Sequence, residues 1–134
     1  MSEILRRDPM MARLLDTLNE GRSIGHYGRL VFAMVARYFL KDEQVARLLR
    51  KDPACDAAEA RAMVRQVREH RYSPPTREKI LEFQSHQDFP IIANPRDPDM
   101  GNVYHSLRFP PPVYAHIEDY YEDKVAAQAA AKTS

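Results

Sequence analysis

Gly25-His26-Tyr27-Gly28-Arg29-Leu30-Val31-Phe32-Ala33-Met34-Val35-Ala36-Arg37-Tyr38-Phe39 reads as one strongly apolar helix with a narrow polar face. At about 100° per residue, Leu30, Val31, Phe32, Met34, Val35, Tyr38 and Phe39 cover most of the circumference. His26, Arg29 and Arg37 share the remaining side, spaced i, i+3 and i+11, with the small Ala33 and Ala36 between them. A helix this apolar belongs in the middle of a core. Its one cationic stripe is therefore the first candidate site.

Working outward, the flanking sequence supplies helix starts and stops. Ser2 to Arg7 can form a short turn, and Asp8-Pro9 then pairs a capping carboxylate with a proline at the first helical position. That helix is predicted to run to about Glu20, to bury Leu14, Leu15 and Leu18, and to stop at Gly21. Beyond the central helix, Asp42 is expected to cap a two-turn helix with Val45, Leu48 and Leu49 inward, ended by Lys51-Asp52-Pro53. Asp56 caps the next, over about Ala57 to His70, with Ala60, Met63, Val64 and Val67 on its apolar side. Tyr72-Ser73-Pro74-Pro75 is rigid and extended, because each proline fixes its own φ and restrains the residue before it. Thr76 caps a short helix through Phe83.

From Gln84 to Pro112 there are six prolines and no sustained period, so this stretch is expected to be mostly loop, with a short strand over Val103 to Phe109. Loops this long are usually functional or tied down by something specific. Pro112 opens a final helix containing Val113, Ile117, Tyr120 and Tyr121, and the Ala-rich end after Lys124 lacks a second face and frays. The expected fold is all-α and compact with long irregular loops, one domain over residues 1–124 and a tail over 125–134.

Charge is unevenly distributed over the 134 residues. Residues 1–80 carry 16 Lys/Arg against 11 Asp/Glu, whereas residues 81–134 carry 4 against 8. Arg dominates the basic part, and its planar fork suits phosphate. On the Asp56-capped helix Arg61, Arg65 and Arg68 stack at i, i+4 and i+7. They form either a solvated face softened by Glu69 and Asp56 or a ridge that contacts phosphates. Arg29 and Arg37 have a similar alternative, pairing with carboxylates such as Asp16 or Glu20.

Cys55 is the only cysteine, which leaves no intramolecular disulfide and no cysteine metal cluster. No apolar run reaches transmembrane length and the N-terminus lacks a signal-peptide core, so a cytoplasmic protein without membrane contact is expected. His26, His70, His86, His105 and His116 show none of the usual metal-site spacings. There is no Gly-x-Ser-x-Gly, no phosphate loop, and no histidine near Cys55 in sequence. The reading is that the chain is not itself an enzyme.

With these residues in place, the sequence resembles the C-terminal domain of the archaeal and eukaryotic DNA primase large subunit, over roughly Met10 to Phe109. The matching segments are Met10-Met11-Ala12-Arg13-Leu14-Leu15, His26-Tyr27-Gly28-Arg29-Leu30, Tyr72-Ser73-Pro74-Pro75-Thr76, and Asp97-Pro98-Asp99-Met100-Gly101-Asn102-Val103-Tyr104-His105-Ser106-Leu107-Arg108-Phe109. That family builds its domain around a [4Fe–4S] cluster. Met10, Arg77 and Met100 stand at three of the ligand positions here, and the fourth falls in the cysteine-free stretch from Asp88 to Asn94. The resemblance thus implies a form without the iron–sulfur cluster and without a cofactor, with Mg2+ entering only with bound nucleotide. Met side chains and an internal contact of Arg77 would fill the space.

The resemblance further implies a non-catalytic accessory to a primase catalytic subunit in DNA replication. His26, Arg29 and Arg37 would hold the initiating nucleoside triphosphate, later the 5′-triphosphate of the primer. Arg61, Arg65, Arg68 and Tyr72 would contact the single-stranded DNA template by phosphate pairing and base stacking. A family cation just before the histidine has no counterpart, since Gly25 stands there. Two alternatives belong to other classes. One is a degenerate adaptor that no longer binds nucleotide. The other is a small metal-dependent phosphohydrolase using His86, Asp88, His105 and His116.

Overall fold

The computed structural model describes residues 3–114. After a 3-10 turn at Leu5–Arg7 come α1 (Pro9–Asn19), α2 (Gly25–Ala36), α3 (Asp42–Leu49), α4 (Ala57–Glu69), α5 (Arg77–Gln84) and the short α6 (Val103–Ser106). Residues 111–114 are helical again. Among the described residues there is no strand, and none of these helices is long and apolar enough to cross a membrane. The expected Ile117, Tyr120 and Tyr121 face and the tail after Lys124 lie outside the described residues.

Helix α2 is the hub, touching α1, α3, α4 and α5. Val31, Phe32, Ala33, Val35 and Ala36 are fully buried along it. Burying side chains of the Val or Phe class contributes about 1.5–3 kcal/mol each, so this helix alone anchors much of the core. Around it sit Met10, Met11, Leu14, Leu15 and Leu18 of α1, Val45 and Leu49 of α3, and Ala60, Met63, Val64 and Val67 of α4.

Local sequence sets most helix ends as expected. Asp8 accepts from the Met11 amide at 2.9 Å, Asp56 from Glu59 at 2.8 Å, and Thr76 from Lys79 at 3.3 Å. Helix α1 closes on Gly21 (φ +71°), whose amide reaches Leu18 O at 2.9 Å while Arg22 reaches Thr17 O at 3.1 Å. Helix α4 closes by the same bond pair, Arg71 to Arg68 O at 3.2 Å and Tyr72 to Val67 O at 3.1 Å. There the left-handed position is held by Arg71 (φ +51°) instead of glycine.

Four expectations need correction. Helix α2 ends at Ala36 rather than Phe39: Tyr38 and Phe39 bond back only three residues, to Val35 O and Ala36 O, tightening the last turn. This swings both rings onto Phe109, with centroids 5.5 and 5.4 Å away. The cap of α3 is Lys41, with Gln44 Oε1 accepting from its amide at 2.9 Å, while Asp42 is the first helical residue and pairs with Arg68. The stretch 103–109 is not a strand, because no described strand pairs with it. Its first residues turn into α6, with Leu107 N bonded to Val103 O at 2.9 Å, and Val103, Leu107 and Phe109 still reach the core. The last helix begins at residue 111, one before Pro112.

The long segment between α5 and α6 is held by side chains gripping its backbone. Arg13 donates twice to Pro90 O, both at 3.2 Å, and Gln84 Oε1 accepts from Ile92 N at 2.7 Å. Ile91 and Ile92 are fully buried. Arg77 donates to Met100 O at 3.1 Å, to Asp97 O at 3.0 Å and to Pro95 O. Buried isoleucines and borrowed donors thus order a segment that lacks a regular hydrogen-bond ladder.

Candidate nucleic-acid interface

The three residues singled out on the central helix have three different fates. His26 is exposed in the first turn of α2. Arg29 points into the core: its side chain is 10% exposed and Nη1 lies 2.8 Å from Oδ2 of Asp52, whose side chain is fully buried. Arg37 sits just past the end of α2, half-buried, with its guanidinium 4.3 Å from the centre of the Tyr38 ring. Its Nη2 donates to Tyr38 Oη at 2.7 Å and to Tyr72 O at 3.2 Å, while its buried Nε finds no partner.

Asp52 explains why Arg29 is withdrawn. Its Oδ2 also accepts from Ser23 Oγ and Ile24 N, both at 3.0 Å, and its Oδ1 accepts from Ala54 N at 2.8 Å. Burial pushes this carboxyl upward. The Ala54 amide, Arg29, the Ile24 amide and Ser23 together outweigh burial, and the pKa falls below the usual aspartate value. The carboxylates suggested by sequence are engaged elsewhere, Asp16 with Arg6 at 2.7 Å and Glu20 with Arg22. Sequence reasoning missed Asp52 because Lys51-Asp52-Pro53 read only as a helix terminator. An acid among Leu48, Leu49 and Cys55, where few charges are tolerated unpaired, is the signal that could have found it.

The start of α2 is also internally engaged. Gln87 Oε1 accepts from Tyr27 N at 2.8 Å, and its Nε2 donates to Ile24 O at 2.9 Å and Phe89 O at 3.0 Å. A Cβ on Gly25 (φ +77°) would lie 2.5 Å from Gln87 Oε1, so glycine there makes room for the glutamine. Gln87 does part of the work an anion would do at a helix N-terminus.

The stripe that α2 turns to its open side is His26, Leu30, Met34 and Arg37, at i, i+4, i+8 and i+11. Leu30 and Met34 form one wall of an open cleft of about 520 Å3. Tyr72, Pro74, Phe83 and Tyr104 supply most of the rest, and Lys79 stands at the rim, paired with Glu82 at 3.3 Å. Two of the cleft's rings have a stacked neighbour. Tyr72 stacks on His70 at 5.4 Å and 17°, and Phe83 stacks on Tyr27 at 5.2 Å and 18°. Tyr27 in turn meets His26 edge-on at 5.3 Å. The Tyr104 hydroxyl donates to Pro74 O and pins the diproline segment.

Arg61, Arg65 and Arg68 lie on the exposed side of α4 and, with Asp42, Glu43, Ala46 and Val64, line a shallow recess of about 220 Å3 against α3. Arg68 pairs with Asp42, whereas Arg61 and Arg65 make no ion pair among the described residues. Of the sequence-predicted groups, the structure therefore brings Arg37 to Tyr72 and leaves His26 at the other end of α2. Eleven residues of helix separate those two by roughly 16 Å along the axis.

Met10 is fully buried in α1, Met100 is half-buried beside Gly101, and Arg77 starts α5. A Cβ on Gly101 would lie 2.5 Å from Ile92 Cδ1 and 3.5 Å from Arg77 Cγ, so Ile92 and Arg77 close around that glycine. Among the described residues no group of three or more His, Cys, Asp or Glu side chains is placed to hold a metal ion, and His116 lies outside them. Cys55 is buried, and burial raises its thiol pKa, which disfavours the nucleophilic thiolate. Comparison with protein-family models, with curated proteins and with solved structures finds no match for this chain.

Proposed function

We propose that the chain is a non-catalytic accessory domain of primer synthesis that binds single-stranded template beside a separate primase catalytic partner. In this reading it resembles the C-terminal domain of the primase large subunit, in a form built without its iron–sulfur cluster. The observation that carries the proposal is the meeting of cations and an aromatic ring at Tyr72. Arg37 bonds the Tyr72 carbonyl and Arg71 precedes Tyr72 in the chain, while Arg61 and Arg65 are exposed on α4, against α3. Cations beside a half-exposed ring suit an unpaired strand, whose phosphates take the cations and whose bases take the rings.

Arg37 is grouped here with the template contacts. Binding of a 5′-triphosphate then falls to His26, joined by Arg29 only if the phosphate displaces Asp52 from it. An adaptor without nucleotide binding is the second reading, and the Arg29–Asp52 pair is the observation that favours it.

The test is titration of a fluorescent single strand at several salt concentrations, with and without a 5′-triphosphate on a short annealed primer. Wild type is compared with His26→Ala and with an Arg61→Ala/Arg65→Ala double variant. Each arginine that neutralises a phosphate contributes about 0.7 to the log–log salt slope, so the double variant is expected to flatten it by roughly 1.4. His26→Ala is expected to remove the gain from the triphosphate. A folded wild type that binds no strand moves the assignment to the adaptor.

A further inference from the structure

The cleft between α2 and the Tyr72–Thr76 connector has chemistry that the fold does not require. A hydrophobic core would have closed it, yet about 520 Å3 stays open between Leu30 and Met34 on one side and three aromatic rings on the other. Two of those rings, Tyr72 and Phe83, each lie nearly parallel to a neighbouring ring, His70 and Tyr27. On the α2 stripe Arg37 lies about one turn after Met34 and bonds the carbonyl of Tyr72, one of the cleft's rings. Lys79 adds a second cation at the rim, with its Nζ 5.2 Å from the centre of the Phe83 ring.

An apolar slot with flat aromatic walls and cations beside it is complementary to a planar heterocycle on an anionic backbone. We propose that this cleft receives an unpaired base of a single strand, stacked on Tyr72 or Phe83, with the flanking phosphates at Arg37 and Lys79. The inference rests on the single-strand reading above and deepens it. Arg37 fits this role structurally, since its contact with the Tyr72 carbonyl ties a cation directly to one aromatic wall. Discrimination would be weak between bases, because every base has a face to stack and the slot offers few polar groups.

The experiment compares a short labelled oligothymidylate with an abasic strand of equal length and charge, at one salt concentration, on wild-type protein. Tyr72→Ala, Phe83→Ala and Tyr72→Phe follow, each checked for its thermal transition. The expected result is at least about fivefold tighter binding of the strand that carries bases. That preference should fall to parity in the Ala variant of the ring that carries the base, and survive in Tyr72→Phe. Equal binding of both strands by wild type would overturn the cleft assignment and leave strand binding standing on the arginines. Binding of neither strand would overturn both. A preference that persists in both Ala variants would place the base elsewhere and also overturn it. Sedimentation without nucleic acid covers the remaining occupant: a dimer dissolved by Phe83→Ala would assign the cleft to a second copy of the chain.

Discussion

Two buried aspartates show how little the residue type alone decides. Asp8 and Asp52 both have no exposed surface. Asp52 has four donors, and its pKa falls. Asp8 spends Oδ2 on the Met11 amide and leaves Oδ1 unpartnered; burial dominates, and its pKa rises. The two therefore act on stability in opposite directions with pH. Asp52 contributes stability that is present above its unfolded pKa, near 3.8, and lost as pH falls through its lower folded value. Asp8 binds its proton more tightly when folded, so its cost grows as pH rises from near 3.8 through the raised value. Asp8→Asn keeps a capping oxygen without the charge, and its urea midpoint at pH 7 should exceed that of wild type, with the advantage shrinking toward pH 4. Arg29→Ala should cost about 3 kcal/mol in the same assay. This is the low end for breaking a buried pair, because Ser23 and the two amides still hold the Asp52 charge. Arg29→Ala therefore reports on stability first, which makes His26 and Arg61 the cleaner probes of the proposed strand interface.

At the scale of elements, what the sequence shows is what is local. Asp8-Pro9, Asp56 and Thr76 each cap a helix through an amide three residues ahead, so nearby residues suffice to place those starts. The end of α2 was not readable, because Phe109, some seventy residues later, takes Tyr38 and Phe39 off the helix. The stretch 103–109 has strand-like composition, but a strand needs a partner and the described chain supplies none. The site follows the same rule. The cationic positions on α2 were legible from periodicity, whereas the rotation that buries Arg29 was set by Asp52, and the open cleft required α5 and α6 to be in place. The end of α4 yields a prediction of its own. Arg71 occupies a left-handed conformation that a side chain disfavours by about 1–2 kcal/mol, part of which glycine returns through its greater freedom when unfolded. Arg71→Gly should therefore stabilise the fold by roughly 0.5–1 kcal/mol in chemical denaturation. It also removes a cation beside Tyr72, so on the proposed single-strand reading affinity for a strand should fall while stability rises.

On the scale of the whole molecule, the fold is a helical hub with an irregular belt fastened to it. Arg77 is one fastener: a single guanidinium serves the carbonyls of Pro95, Asp97 and Met100. Arg77→Ala should increase tryptic cleavage after Arg96 several-fold. Arg77→Lys should restore little, because one ammonium does not span three carbonyls in a planar fork. Asp52 fastens the hub itself. Its two oxygens join the connector before α2 through Ser23 and Ile24, the body of α2 through Arg29, and the turn before α4 through Ala54. Segments up to 31 residues apart in sequence thereby share one charge, and none of them can peel away without exposing it. Local fraying, which usually lets one loop breathe while its neighbours stay folded, is suppressed at this point. The amides of Ile24 and Ala54 thus belong to a single cooperative unit, exchanging their hydrogens with solvent together or not at all.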